Sequence, residues 1–284
     1  MNLLNRLFII QTWELGYAFS KIQSLKDLQK ANFNIIKSSK KEWYADPFCV
    51  STNGNFYIFC EVFDTQKGKG SIGVFDYRKD SFKKCSIIIE EPYHMSYPYV
   101  FHYKNEWLMI PEMCESNELR IYKADDFPYK WTLKKKLLSS IKYVDSTIYS
   151  NNNDAYLFCY DISDDIAVLK QYSIDLDSLS ITLLDSMVDS SKELRPAGFI
   201  KNDIFVSQYN KNYYGEGLIF NKIPFFNKKV IERKTVFVDE LSIANRRYHG
   251  IHTINSEEDI AVIDLLKRRF CIYKPFLILS RRRK

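Results

Sequence analysis

Glycine and proline are scarce in this chain of 284 residues, with 9 and 8 copies. That excludes a collagen-like repeat and a Gly/Pro-rich disordered chain. The six cysteines, Cys49, Cys60, Cys85, Cys114, Cys159 and Cys271, are scattered, form no Cys-x-x-Cys pair and mostly lie inside apolar runs. Such spacing indicates neither a disulfide framework nor a zinc site, and a reducing compartment is expected. No uncharged apolar run reaches the roughly 18 residues of a membrane-spanning helix, and no Gly-rich phosphate loop is present. The first ten residues hold one Arg and a short apolar stretch, but Gln11, Trp13 and Glu14 follow where a small-residue cleavage site would stand. The sequence therefore reads as that of a cytoplasmic protein.

What remains is the composition of a globular chain, 46% hydrophobic and 27% charged, long enough for one large domain or two small ones. Twenty Tyr, twenty Phe and four Trp bring aromatics to 15%, which favours β-sheet over a helical bundle. The net charge of +6 is uneven. The last twenty residues hold eight bases (Lys267, Arg268, Arg269, Lys274, Arg281, Arg282, Arg283 and Lys284) and no acid, leaving the rest of the chain at −2. The basic balance is a tail effect, and no nucleic-acid partner is expected.

Five segments can be laid over one another: Ala45-Asp46-Pro47-Phe48, Ser96-Tyr97-Pro98-Tyr99, Val144-Asp145-Ser146-Thr147, Leu194-Arg195-Pro196-Ala197 and Tyr248-His249-Gly250-Ile251. Their second residues are 51, 48, 50 and 54 positions apart, about the period of a propeller blade. Seven residues beyond each lies a polar turn, at Asn53-Gly54, Lys104-Asn105, Asn152-Asn153, Asn202-Asp203 and Ser256-Glu257, and each turn leads into an apolar strand such as Phe56-Tyr57-Ile58-Phe59. The pattern predicts an all-β fold: a single five-bladed β-propeller over residues 1–284, with blades near 43–90, 94–140, 143–190, 193–245 and 246–280. Residues 1–42 would supply a closing strand, from Leu7-Phe8-Ile9-Ile10 and Trp13, and a connection with a short helix at Leu25 to Gln29. A β-sandwich with accidental spacing is the competing reading.

First strands of propeller blades line the central channel, so Asp46, Tyr97, Asp145, Arg195 and His249 should converge there. A purely structural strand would place Val or Ile at these positions. A second ring follows fifteen residues later at Glu61, Glu112, Tyr160 and Asp264, with Gln208 as the nearest residue in the shorter fourth blade. An apolar strand that ends on an acid or amide is costly unless the polar group has a partner or a job. Carboxyls facing one cavity push at least one pKa upward, so that one stays protonated as an acid while another remains ionised.

Trp43-Tyr44-Ala45-Asp46-Pro47-Phe48 with Glu61 and Gly70-Ser71-Ile72, His94-Met95-Ser96-Tyr97-Pro98-Tyr99-Val100-Phe101, Ile110-Pro111-Glu112, Phe127-Pro128 with Trp131, Asp145-Ser146-Thr147, Arg195-Pro196-Ala197-Gly198, Gln208 and Tyr214-Gly215 occur in order over residues 43 to 255. Together they resemble a glycosidase-like five-bladed propeller family, found at the amino terminus of plant glucosamine inositolphosphorylceramide transferases and in bacterial surface-polysaccharide clusters. More distantly the architecture is similar to the arabinanase, levansucrase and invertase group. The resemblance implies Asp46 as nucleophile or base, Asp145 as the carboxylate that positions the sugar, and Glu112 as the acid, with Glu193 or Glu216 as substitutes. It implies Arg195, His249, Tyr97, His94, Glu61, Gln208 and Trp43 as substrate-binding residues, and neither a metal nor another cofactor.

Three functions follow as expectations. The first is a glycosyltransferase that joins an activated sugar, such as the furanose fructose, to a bacterial surface-polysaccharide acceptor, with Asp46 as base and Arg195 holding the donor phosphate. The second is a glycoside hydrolase, in which two carboxyls flank the scissile bond. The third is a non-catalytic glycan-binding propeller with Trp43, Tyr97, Tyr99 and Tyr214 as stacking platforms. The basic-apolar carboxyl terminus, with Phe270, Ile272, Phe276, Leu277 and Ile278 among its bases, would rest peripherally on anionic membrane.

Overall fold

The structure is a computed structural model that describes residues 8–82, 84–150, 154–201, 204–222, 232–243 and 248–270. The chain opens with β1 (Ile9–Ala18), a short helix α1 (Leu25–Lys30) and β2 (Asn34–Ile36). The helix starts where expected, because the Ser24 side chain accepts from the Asp27 backbone N–H, and it buries Leu28. A first sheet follows, built from β3 (Glu42–Thr52), β4 (Asn55–Asp64), β5 (Lys69–Arg78), β6 (Ser81–Phe82) and β7 (Ser86–Ile89). The second holds β8 (Ser96–Tyr103), β9 (Glu106–Glu112), β10 (Glu118–Asp126) and β11 (Lys130–Ser139). The third holds β12 (Tyr143–Ser150), β13 (Ala155–Asp161), β14 (Val168–Asp175) and β15 (Ser180–Val188). The remaining strands are β16 (Pro196–Lys201), β17 (Ile204–Tyr209), β18 (Gly217–Lys222), β19 (Glu232–Phe237), β20 (Ile254–Glu257) and β21 (Ile260–Phe270).

Neighbouring strands within these sheets are antiparallel, as short polar turns demand. Asn53 and Gly54, with φ of 50° and 73°, make the left-handed two-residue turn whose twist suits a hairpin. The last sheet runs β19-β18-β17-β16-β20-β21-β1-β2, and its two halves meet at a single parallel bridge, Gly198 to Ile254. β1 therefore joins the end of the chain, paired with β21 from Ile9–Phe270 to Ala18–Ala261. Residues Asn152-Asn153 and Asn202-Asp203, two of the expected turns, lie outside the described residues, as does everything after Phe270, including residues 271–280 of the fifth expected blade and the basic tail.

The core lies between the sheets. Phe48 and Phe59 pack with Tyr97, Met109 and Trp131; Leu108 and Ile121 with Ile148 and Leu157; Tyr156 and Phe158 with Phe205. Val206 and Leu218 pack with Ile254 and Ile263, and Leu15 and Val262 with Ile58 and Phe75. Successive sheets thus bury one face against the next, and the strands around β1 and β21 pack on the first sheet.

The innermost strands share one irregularity. Pairing slips between Ala45 and Phe48 in β3, Ser96 and Tyr99 in β8, Val144 and Thr147 in β12, and Pro196 and Ile200 in β16. At these bulges Asp46, Tyr97, Asp145 and Gly198 have φ of 49°, 43°, 50° and 115°. A bulge re-aims the residue it carries, and a left-handed φ costs a side-chain-bearing residue roughly 1 kcal/mol or more.

Gly198 has a second reason to be glycine, because a Cβ there would sit 1.8 Å from the Ile254 carbonyl oxygen on β20. Gly198→Ala is expected to lower stability by roughly 2 kcal/mol or more. Gly54→Ala, where φ is +73° with open space around it, should cost only about 1 kcal/mol. Urea unfolding of the two variants checks the difference, and equal losses would mean that β16 and β20 do not approach this closely.

Candidate active site

The bulges on β3 and β12 place two aspartates where they cannot reach bulk water. Asp46 and Asp145 are 5% and 1% exposed. Asp46 Oδ1 accepts from the Thr253 hydroxyl at 2.8 Å and lies 3.2 Å from His252 Nε2. The other ring nitrogen of His252, Nδ1, lies 2.7 Å from Asp264 Oδ2, while Asp264 Oδ1 accepts from the backbone N–H groups of His252 and Thr253. Asp264 Oδ2 also accepts from the Asp46 backbone N–H at 3.1 Å. Trp13, brought in by β1, lies 4.1 Å from the His252 ring between centroids, and Tyr214 packs at 5.0 Å.

Asp145 has its own cation. Arg195 Nε donates to Asp145 Oδ2 at 2.5 Å, and Gln208 Nε2 donates to the same oxygen at 3.1 Å. Asp145 Oδ1 is buried without a hydrogen-bond partner. Arg195 also stacks over the Tyr214 ring, 5.5 Å from its centroid. The loop before Arg195 is fixed by the buried Asp189, which accepts from the Tyr160 hydroxyl at 2.8 Å, the Leu194 N–H at 2.7 Å, the Glu193 N–H at 3.1 Å and the Ser191 hydroxyl at 3.0 Å.

Two glutamates stand on the second strands of the first two sheets, Glu61 within β4 and Glu112 at the end of β9. Glu112 Oε2 accepts from the Ser96 hydroxyl at 2.6 Å and Oε1 from the Cys114 N–H at 2.7 Å. Glu61 Oε1 is buried without a hydrogen-bond partner and lies 3.6 Å from His94 Nε2. His94 Nδ1 accepts from the Gly70 N–H at 3.0 Å, which leaves the proton of the neutral ring on Nε2.

Burial and mutual repulsion sort these groups by protonation. Burial raises Asp46, but the charge and hydrogen bond of His252, with help from Thr253 and Arg195, outweigh it and hold the carboxyl below its ordinary value. Burial works against a charged His252, yet Asp264 and Asp46 overcome it and push the imidazole up to about 10. Burial, joined by the negative charge of Asp46, drives Glu61 well above its usual range. Glu112 is pushed up to about 7 by burial and Asp145, with Ser96 opposing. Burial lifts Asp145 against the pull of Arg195, and it lowers His94 into the neutral form. One ionised base and at least one protonated acid therefore coexist near neutral pH.

Not every residue expected at the site stands there as expected. Arg195 precedes β16 and reaches the site through its side chain, while the fourth bulge carries Gly198 instead. The His249 backbone pairs with Leu266 and with the Tyr213 hydroxyl, and it is His252, three residues further on, that stands between Asp46 and Asp264. The final hairpin accounts for two of these three positions: Glu257 pairs with Ile260, so the turn is at Glu258-Asp259, two residues later than the expected Ser256-Glu257. Tyr97 is fully buried, with its hydroxyl bonded to Thr147 at 2.8 Å and to the Gly198 N–H at 2.7 Å; it braces three inner strands and offers no free polar atom to a substrate. Gln208 is likewise buried and orients Asp145. Trp43 stacks on Phe63 at 4.4 Å, beside His94. The substitutes Glu193 and Glu216 are engaged elsewhere, with Arg233 and Asn212. His252, Asp189 and Thr253 escaped the sequence reading; the slip at the last turn hid the first and third, and Asp189 stands in an ordinary polar stretch.

Asp46, His252 and Asp264 offer ligand atoms within 4.8 Å of one another, the residue types of a metal site. Their arrangement does not suit an ion, because the imidazole lies between the carboxylates and gives one nitrogen to each. A charged imidazolium beside two carboxylates has no lone pair to offer a cation, although Nδ1, 2.7 Å from Asp264 Oδ2, is not aligned for a hydrogen bond.

The all-β chain resembles solved glycoside hydrolase structures in the arrangement of its sheets. It is similar in fold to the exo-beta-1,3-galactanase from Phanerochaete chrysosporium, 11% identical with a TM-score of 0.55 over 90% of this chain and 64% of that one. It is also similar to RS223-Beta-xylosidase, 12% identical with a TM-score of 0.50 over 81% of this chain and 92% of that one. The family is narrower than that fold: the model of "Glucosamine inositolphosphorylceramide transferase 1, N-terminal" matches residues 32–184, more than half of the chain, and the chain belongs to this family. The glucosamine inositolphosphorylceramide transferase 1 of Oryza sativa subsp. indica is 34% identical over 121 residues, and that of Arabidopsis thaliana 35% over 106. These matches cover 42% and 37% of this chain but only 16% and 14% of the two plant proteins.

A test of the central ion pairs follows from linkage. His252 is raised from 6.5 to about 10, so the stability it adds is complete below pH 6.5 and is lost as pH rises toward about 10. The melting-temperature gap between the native chain and His252→Gln should be largest near pH 6 and shrink steadily on the alkaline side. A gap independent of pH would mean that His252 is not charged in the folded chain.

Proposed function

We propose that the chain is a carbohydrate-active enzyme that transfers a sugar to a hydroxyl acceptor, with Asp46 as the base and Glu112 as the proton donor. The carrying observation is the opposite treatment of these two carboxyls: His252 and Thr253 hold Asp46 as an anion, while burial lifts Glu112 to about 7. In this reading Asp46 takes the acceptor hydroxyl proton as the new oxygen–carbon bond forms, and Glu112 protonates the departing oxygen as the old bond breaks. Asp145, anchored by Arg195 and Gln208, keeps Oδ1 as an acceptor for a sugar hydroxyl and as negative charge near the electron-poor anomeric carbon.

The sheets are read as five blades of one propeller, the last completed by β1 and β2. The cyclic packing of successive sheets and the ten-residue β1–β21 pairing support this. The partners are an activated donor and a glycan acceptor, with a surface polysaccharide and a furanose as the specific candidates. What the plant relatives' names state belongs to proteins of which this chain matches only a small part, so their transferase activity supports the reading without fixing it. A cytoplasmic site beside the membrane stays within the proposal, although the part of the basic segment after Phe270 lies outside the described residues; among the described residues no helix is long and apolar enough to cross a membrane. A glycoside hydrolase is the second reading, favoured by the same base and acid pairing.

Nucleotide release from a panel of nucleotide-activated sugars with oligosaccharide acceptors, run beside hydrolysis of aryl glycosides and free oligosaccharides, separates the two. Asp46→Asn is expected to lose at least about a hundredfold in either turnover, and full activity in this variant would remove the catalytic assignment. Because Glu112 must carry its proton to donate it, the rate should fall as pH rises through about 7, and that limb should vanish in Glu112→Gln. An unchanged limb in the variant would transfer the donor role to another group.

A further inference from the structure

Asp264, Leu266 and Arg268 are alternate residues of β21 and so share one face of the strand. That face leads from the acid cluster past Trp13, Ala45 and Leu266, which pack together with Trp43 and Tyr213 beside them. At its outer end the Arg268 guanidinium lies over the Tyr213 ring, 3.9 Å from the centroid. The ring is itself fixed, because its hydroxyl donates to the His249 carbonyl at 2.6 Å.

Arg268 Nε and Nη2 are buried and have no hydrogen-bond partner among the described residues. These two groups form one edge of the guanidinium, the edge that grips a pair of anionic oxygens side-on. Two acids of its surroundings are already engaged. Glu14 is engaged by Lys267 at 2.9 Å and Arg269 at 3.8 Å, and Glu216 by the Asn212 backbone and side chain at 2.8 and 2.7 Å. Arg195, the cation first expected to hold an anion, spends its Nε on Asp145. Buried donors left open on a preorganised fork call for an acceptor that the chain itself does not supply.

We propose that the Nε–Nη2 edge of Arg268 is a binding site for an anionic group, a phosphate or a carboxylate, carried by a ligand that extends outward from the acid cluster. Four residues along a strand separate the backbones of Arg268 and Asp264 by about 13 Å, more than the width of one sugar ring. The anion therefore belongs to a part of the ligand remote from the reacting bond, such as a phosphate substituent or an acidic sugar further along a glycan. Only the identity of the ligand rests on the function proposed above; the open guanidinium edge does not.

The test is calorimetric titration of the full chain at low salt with inorganic pyrophosphate and with galacturonate, using galactose as the neutral control. One of the two anions should bind the native chain and lose at least about tenfold in affinity in Arg268→Gln. Arg268→Lys, which keeps charge and bulk but lacks the fork, should also weaken it and guards against a folding defect. The anion that binds tells the two sources apart. Absence of binding by both anions, or equal affinity in the native chain and both variants, overturns the proposal. Asp46→Asn should leave anion binding intact, so a loss of turnover with anion binding preserved separates a failure of the catalytic reading from a failure of this one.

Discussion

Five buried carboxyl groups, Asp46, Glu61, Glu112, Asp145 and Asp264, share the inner ends of the sheets, and the cations that touch them there are Arg195 and His252. This imbalance governs the site. Two positive charges cannot neutralise five negative ones, and burial makes every unpaired charge expensive. The cations therefore bear on which carboxyls ionise: His252 holds Asp46 below its ordinary value, while Glu61 lies beyond direct reach of either cation and is driven well above its usual range. A separation of carboxyls with lowered and raised pKa emerges from this charge balance, before any substrate enters.

The backbone contributes a matching constraint. Regular strands would turn Asp46, Tyr97 and Asp145 according to the alternation of the pleat, and bulges with left-handed φ re-aim them instead. Three such residues carry strain that the surroundings must offset. Tyr97 shows how: its hydroxyl ties β8 to Thr147 on β12 and to Gly198 on β16, so one strained residue locks the bulges of two neighbours. Asp189 plays the corresponding part for Arg195, holding four donors and thereby the loop that presents the guanidinium.

The fold was largely legible because its signals are local. Polar pairs such as Asn53-Gly54 fix hairpins, apolar runs between them fix strands, and the fifty-residue spacing repeats both. The acids of the first three sheets were found for the same reason, since their distance from a well-defined turn is constant. The fourth and fifth positions were not, because there the bulge or the turn moves. Five polar residues in a row, Asn255 to Asp259, leave the last turn ambiguous by two positions, and the central histidine stands three residues beyond the expected one, at His252 in place of His249. Side-chain reach is equally invisible in sequence: Arg195 serves the site from outside β16, and nothing in its neighbours announces that it would spend its charge on Asp145.

The family match ends at residue 184, and that boundary divides the chemistry. Asp46, Glu61, Glu112 and Asp145 all lie within the matched segment, whereas Arg195, Gln208, His252 and Asp264 come from beyond it and Trp13 from before it. The matched segment thus supplies acids, and the remainder supplies the groups that decide their ionisation. Trp13 makes the dependence mechanical as well as electrostatic, because it covers the His252 ring from a strand that is held in place by pairing with β21. An acid set without these partners would be a repelling cluster that protonates until its charge is tolerable. The segment that identifies the family therefore does not by itself determine which of its carboxyls can act as a base, and that assignment is made by the two ends of the chain where they pair.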